Sequence, residues 1–456
     1  MQKLNYLIIF FLIVGVVIIS GCSASQSNTN SSLSNSSNTI INKSMTAANI
    51  VWNNTYGGPG FNTGQSLIST SDNGFAITGS MAISPNNKTI FYNTSSMYLI
   101  KTDANGTLLW SKTYGNEMSG GVGLVQTSDG GYAILGSIGS LDKVILVKTD
   151  ASGNEVWNNT YSGENNDYIS PMYLAQTRDG GYIITGGTGR TISEFMIYLI
   201  KTDADGKIIW NKTIGPGTGF FVTQTPDGGY VIATNALSAS TALLKPSLIK
   251  TDGNGNIVWN KTYSPVSYNK TQLGNTSDGI TLTSSAMQTS DGGFALAGTT
   301  GIISIDMADG SSGTTVNKNV SSTINTKGFL IKTDAEGNEV WSNTYGVTGD
   351  NEVSSAIQSS DGGYALVGTG IGNSTISVTT SYTTNKSSIG TQFNISTITP
   401  AVFFVKTDVN GNELWSKTFY GLSAKTLVES GDGGYVITGD KTMSSGTFDI
   451  LLAKIA

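Results

Sequence analysis

Leu124-Val125-Gln126-Thr127-Ser128-Asp129-Gly130-Gly131-Tyr132-Ala133-Ile134-Leu135, followed shortly by Ile145-Leu146-Val147-Lys148-Thr149-Asp150-Ala151-Ser152-Gly153-Asn154-Glu155-Val156-Trp157, is the stretch whose reading decides the fold. Short apolar runs flank Asp-Gly-Gly in its first half and Asp-X-X-Gly in its second. Such turns supply the positive φ that tight hairpins need, so the unit reads as four antiparallel strands. The second and third strands are apolar on both alternating faces, as in Tyr182-Ile183-Ile184 and Tyr198-Leu199-Ile200. Each small sheet must therefore be covered on both sides.

The unit recurs along the chain. All seven tryptophans, Trp52, Trp110, Trp157, Trp210, Trp259, Trp341 and Trp415, carry one of its marks. A tight turn beginning at Asp72, Asp129, Asp179, Asp227, Asp291, Asp361 or Asp432 follows each of them. An apolar strand then ends at Lys101, Lys148, Lys201, Lys250, Lys332, Lys406 or Lys454, and each of the first six lysines stands nine residues before the next Trp. In the first unit Asn73 replaces a glycine, and Asn is the residue that best tolerates a left-handed conformation. The chain enters on a fourth strand (Ile50 to Tyr56) and finishes on a third strand (Ile450 to Lys454). The expected fold is thus all-β: a seven-bladed β-propeller of four-stranded antiparallel blades, closed by the N-terminal strand completing the last blade. A solenoid would also stack repeats, but it needs distinct capping units.

Composition agrees. Gly 57 and only 12% charged residues, with Ser, Thr and Asn filling the polar positions, suit many short strands joined by turns. A net charge of -6 gives no basis for holding a phosphate backbone, so nucleic acid is not an expected partner. The chain has no His, which removes the usual general base and zinc ligand, and its one cysteine cannot form a disulfide within the chain.

That cysteine ends the opening segment. Lys3, an apolar run from Tyr6 to Ile19, then Ser20 and Gly21 make a secretory signal, too short for a comfortable membrane span. Ile19-Ser20-Gly21-Cys22 resembles the lipobox of bacterial and some archaeal lipoproteins, which implies lipidation at Cys22. The expected organisation is a signal peptide over 1–22, a Ser/Asn-rich flexible tether over 23–47 and the propeller over 48–456. The protein is then held at the cell membrane by its lipid, facing the extracytoplasmic side, and is expected to be a monomer. Sequons such as Asn42, Asn87, Asn211 and Asn319 permit glycosylation without demonstrating it.

The element Tyr-Leu-Ile-Lys-Thr-Asp-Ala-X-Gly-X-X-X-Trp, as in Tyr98 to Trp110, resembles the signature of pyrroloquinoline-quinone-type propellers, over about residues 49–456. The resemblance implies a Trp docked between neighbouring blades. The quinone enzymes have eight blades and a calcium site; seven repeats depart from that pattern, and no cofactor or metal is expected. Asp203-Ala204-Asp205-Gly206 reads as another turn rather than a calcium loop.

Three repeated sets invite a structural reading first. The Trp rings each bury about 150–250 Å² against a neighbour. The lysines pair with turn aspartates. Gln126, Gln176, Gln224, Gln288 and Gln358, with Ser69 and Glu429 in the other two units, sit on the innermost strands and read as an amide ladder between blades. The sharper alternative is a polar collar around a ligand, with Glu429 as its one charge.

Both tight turns of a unit share a rim, so the long insertions 81–96, 264–281, 300–326 and 370–400 all open on the other. They are rich in Ser, Thr, Gly and Asn, with aromatic rings at Tyr92, Tyr268, Tyr382 and Phe393. Those residues suit an envelope glycan or a protein surface. The expectation is a non-enzymatic lipoprotein that binds or scaffolds through this rim. A carboxylate-dependent glycan hydrolase or lyase using acids such as Asp306 or Glu429, and an envelope assembly factor, are the alternatives.

Overall fold

A computed structural model describes residues 49–456 except 59, 83–94, 116–118, 140–142, 164–166, 192–193, 238–243, 265–276, 313–314, 347–349, 372–375, 384–388, 396–400 and 444–446. The signal, tether and Cys22 lie outside the described residues, as do Tyr92 and Tyr268.

Seven antiparallel blades of four strands form a ring. Blade 2 shows the pattern: Ser119–Gln126, Tyr132–Ile138, Lys143–Thr149 and Glu155–Ser162, hydrogen-bonded in that order. Blades 1, 3 and 4 repeat it over 62–114, 168–216 and 219–262. Blades 5 and 6 run over 277–345 and 350–420, with extra strands described below. Blade 7 takes Thr426–Glu429, Tyr435–Thr442 and Phe448–Ile455 from one end of the described chain and Ile50–Tyr56 from the other. Asn54 pairs with Leu452 and Tyr56 with Ile450 across that closure. Two further bonds, Asn49 N to Ala456 O at 2.8 Å and Ala456 N to Asn49 O at 3.1 Å, extend it.

The second and third strands are buried on both faces because blades stack face to face. One core cluster joins Leu135, Leu146 and Tyr161 of blade 2 to Leu174, Ile184 and Tyr198 of blade 3. First strands of neighbouring blades touch and line the axis, and fourth strands form the outer surface.

The tight turns close through one repeated cluster. In blade 2, Asp129 Oδ1 accepts from Thr127 Oγ1 at 2.6 Å and Gly131 N at 3.0 Å, while Lys148 Nζ lies 2.8 Å from Oδ2. The same Lys–Asp pair recurs in all seven blades. A Cβ on Gly131 would sit 2.1 Å from Thr149 O, so only glycine fits there. Asn73, at φ 64, is the one non-glycine residue with positive φ among the described residues, in the position that Gly130 takes in blade 2 at φ 83.

Candidate functional site

The ring has two rims of different character. Both tight turns of blades 1 to 6 and the single one of blade 7 lie on one, and each fourth strand starts there. Ile50 begins a fourth strand, so the described chain enters the ring at the tight-turn rim.

The repeated polar and aromatic groups of that rim are engaged either within a blade, as the Lys–Asp pairs are, or between neighbouring blades. The Trp110 ring lies against the Asp-X-X-Gly turn of blade 3's predecessor in the ring order, blade 2, where a Cβ on Gly153 would meet it at 2.6 Å. The ring also meets Tyr132 of blade 2 edge-on, with centroids 6.0 Å apart. Trp52, Trp157, Trp210, Trp259 and Trp341 reach the corresponding glycines of their own next blades. Four residues after the Trp, a tyrosine hydroxyl donates to the same turn: Tyr114 to Gly153 O and Tyr161 to Gly206 O, both at 2.7 Å. Burial pushes the phenol of Tyr161 well above its usual value. Two units lack this tyrosine, having Ile214 and Phe419. Phe419 precedes the closure, where no turn links third strand to fourth. There Trp415 instead stacks on Phe404, with centroids 5.2 Å apart and planes at 13°.

The glutamine ring crosses between blades, but its partners are backbone amides rather than other side-chain amides. Gln126 Oε1 accepts from Ser71 N at 2.9 Å, Gln176 from Ser128 N at 3.0 Å, Gln224 from Arg178 N at 3.0 Å and Gln358 from Ser290 N at 2.8 Å. The residue facing Gln288 is Pro226, which has no N–H to give. Glu429 belongs to the same series: its two oxygens accept from Ser360 N at 2.7 Å and Ser360 Oγ at 2.8 Å. The structure thus gives Glu429 a bridging role on the tight-turn rim, away from the insertions.

The turn aspartates are equally committed. Partial burial of Asp129, Asp179 and Asp291 acts to raise their carboxyls, but hydrogen bonds from the paired lysine, a threonine hydroxyl and a glycine amide outweigh it and hold each at about 2.

On the opposite rim, the described parts of insertions 300–326 and 370–400 include strands. The second and third strands of blade 5 run on as a hairpin, Phe294–Ser312 and Thr315–Thr333, in unbroken register. The insertion of blade 6 adds Ile376–Thr383 and Ile389–Ile395 to its edge. Tyr382 pairs with Val316 and Ile389, and Phe393 with Val378. Asp306 pairs with Ser321 on the hairpin.

At the mouth of the axis, the first strand of each of blades 1 to 6 has a register shift that leaves one residue over: Gln65, Val122, Met172, Phe220, Ser284 and Ser354. A bulge re-aims the local side chain. Lys425 holds the equivalent place in blade 7, ion-paired with Asp440 at 2.8 Å. The collar is apolar across blades 2 to 4 and polar across the rest. Tyr168, Met172 and Tyr173 of blade 3 are 46%, 38% and 36% exposed, and Tyr173 meets Phe221 at 5.0 Å. Beside them lies a cleft of about 290 Å³ lined by Asp167, Arg190 and Glu194, with Arg190 Nε 3.4 Å from Asp167 Oδ1. Sequence reading singled out none of these residues, since the leftover positions share no residue type. Among the described residues no group of three or more acids stands close enough to hold a metal ion.

No protein-family model matches the chain, and no curated protein does. Its structure is similar to that of a protein of unknown function from Dyadobacter fermentans, at 10% identity and a TM-score of 0.41, covering 90% of this chain and 99% of that one. It is also similar to the GH93 alpha-L-arabinofuranosidase of Fusarium graminearum, solved with arabinobiose, at 10% identity and a TM-score of 0.42, covering 73% and 91%.

Proposed function

We propose that this chain is a non-enzymatic binding module, carried at the cell surface by a lipid on Cys22, whose insertion-bearing rim engages an envelope glycan or protein. The observation that carries the reading is the division of labour between rims. On the tight-turn rim the lysines and aspartates close turns within each blade, the tryptophans and four of the glutamines reach the neighbouring blade, and the first described strand begins on that side. A tethered ring so built turns its other rim outward.

That rim offers suitable chemistry. Tyr168 and Tyr173 present accessible rings, and the adjoining cleft offers Asp167, Glu194 and Arg190. Sugars bring apolar ring faces and hydroxyls, which aromatic rings and hydrogen-bonding groups match. The test is a pull-down from the organism's own envelope with the full chain, with a chain whose 300–326 and 370–400 are replaced by tight turns, and with Tyr173→Ala. Capture that survives in both altered chains sinks the proposal. Turnover, rather than retention, of a polysaccharide panel would favour the hydrolase reading.

A further inference from the structure

Four sequons fall at one equivalent place once the strands are set. Asn53, Asn158, Asn211 and Asn260 each begin Asn-X-Thr one residue after a blade's Trp, on the fourth strands of blades 7, 2, 3 and 4. The same position holds Ser111, Ser342 and Ser416 in blades 1, 5 and 6, and a Thr stands three residues after every Trp. In an extended strand alternate side chains share a face. Each of these four Trp rings meets the turn glycine of the next blade, so the residues one and three places further on turn away from that blade. All four asparagines are exposed, as are their threonines Thr55, Thr160, Thr213 and Thr262. The amide and hydroxyl of each sequon thus stand side by side on the outer wall of the ring, about 7 Å apart along the strand.

Asparagine is a poor strand residue, and at this place it lacks the structural reason that its neighbours have. Two places after the Trp, Asn54 donates to Gly106 O at 3.0 Å, Asn159 to Asp205 O at 2.8 Å and Asn343 to Gly411 O at 3.0 Å, all in the next blade's turn. The sequon asparagines face away from those acceptors. Asn158 Nδ2 donates to Glu155 Oε1 at 2.6 Å, a bond within its own strand that uses one of two amide hydrogens. Asn105-Gly106-Thr107 is not part of the series: it lies in a tight turn, where Asp103 Oδ1 accepts from the backbone N–H of both Asn105 and Thr107.

We infer that Asn53, Asn158, Asn211 and Asn260 are N-glycosylated, so that a belt of oligosaccharides covers four of the seven outer strands. The donor is an oligosaccharide joined through phosphate or diphosphate to a membrane lipid. Nδ2 of the asparagine attacks the anomeric carbon of the first sugar. The bond from Nδ2 to that carbon forms, and the carbon's bond to the phosphate oxygen breaks with its electron pair leaving on the lipid phosphate. One amide proton passes to a base of the transferring enzyme. Each of these strands is also a sheet edge, hydrogen-bonded on one side only, and a bulky solubilising group there hinders pairing with another chain. The inference rests on the extracytoplasmic location proposed above.

The test compares the chain purified from its own organism's membranes with the same chain made in a bacterial cytoplasm, by mass spectrometry of proteolytic peptides. Peptides holding Asn53, Asn158, Asn211 or Asn260 are expected to carry sugar mass in the first and the bare sequence mass in the second. Expressed in the same organism, Thr160→Ser should keep the sugar on Asn158 and Thr160→Ala should lose it. Ser111→Asn, which completes the motif with Lys112 and Thr113 at the equivalent place in blade 1, should gain one. A membrane-impermeant amine label on wall-stripped cells reports the location independently. Bare mass at the four asparagines of a labelled chain would overturn the inference and leave the location standing, whereas a chain shielded from the label would sink both. Sugar that persists on Asn158 in Thr160→Ala would also overturn it.

Discussion

Placing asparagine at two left-handed glycines separates backbone cost from steric cost, and so measures how firmly one blade is keyed into the next. Gly130 and Gly153 have φ of 83° and 74°. Asparagine already stands at the first unit's equivalent of Gly130, at Asn73, and a Cβ on Gly130 meets nothing within 4 Å. Gly130→Asn should therefore cost less than about 1 kcal/mol. At Gly153 the backbone demand is the same, but a Cβ would lie 2.6 Å and 2.7 Å from Cζ3 and Cη2 of Trp110 and 3.2 Å from the Tyr114 hydroxyl. The indole cannot retreat, being held edge-on by Tyr132. Overpacking of this kind costs about 1–3 kcal/mol, and the ring's expulsion would forfeit part of the larger cost of emptying an aromatic site. Gly153→Asn should thus exceed Gly130→Asn by about 2 kcal/mol or more. Urea denaturation followed by tryptophan emission reads the difference as a lower midpoint at similar slope. Equal midpoints for the two variants would refute the idea that the Trp-to-glycine contact keys the blades.

Other expectations follow from the same geometry. Tyr161→Phe removes the donor to Gly206 O and should lower stability by about 1 kcal/mol, whereas Ile214→Tyr supplies the missing donor toward Gly255 and should raise it by about as much, both read by denaturation. Gln176→Ala should cost about 1 kcal/mol through loss of its bond from Ser128 N, and Gln288→Ala, opposite Pro226, should cost less. Acid should act on the turn clusters. The carboxyls of Asp129, Asp179 and Asp291 sit at about 2 in the folded ring against 3.8 ordinarily, so their stabilisation is complete above pH 4 and is lost as pH falls from there through 2. A melting temperature that did not drop across that window would contradict this assignment.

The ring was legible because its marks are local and periodic. Turn glycines, Asn73 as their substitute, the Lys to Trp interval and the incomplete first and last units each follow from backbone conformation or from strand count. What escaped notice depends on neighbours distant in sequence. Gln176 looks the same whether it meets another amide or the backbone of Ser128, and only the ring's geometry decides. The bulged positions carry Gln65, Val122, Met172, Phe220, Ser284 and Ser354, so no residue type announces them. The tyrosine that follows five of the seven tryptophans by four residues is visible as a repeat, and its absence both at Ile214, where the turn it would meet is intact, and at Phe419, where there is none, has no reading in the sequence. Insertions 300–326 and 370–400 read as polar loops by composition. In the first, the period-two alternation of Ile303, Ile305 and Met307 against Ser304 and Asp306 is the strand signal that composition obscured.

Closure is the premise for both rims, since it fixes on which rim the described chain enters the ring and on which the connections between second and third strands open. Hydrogen exchange read by mass spectrometry tests it directly through the amides of Ile50–Tyr56. Protection equal to that of the other fourth strands, such as Glu155–Ser162, is the expected result. Exchange of 50–56 at the rate of an unpaired chain, with 448–455 unprotected along the same edge, would contradict the ring.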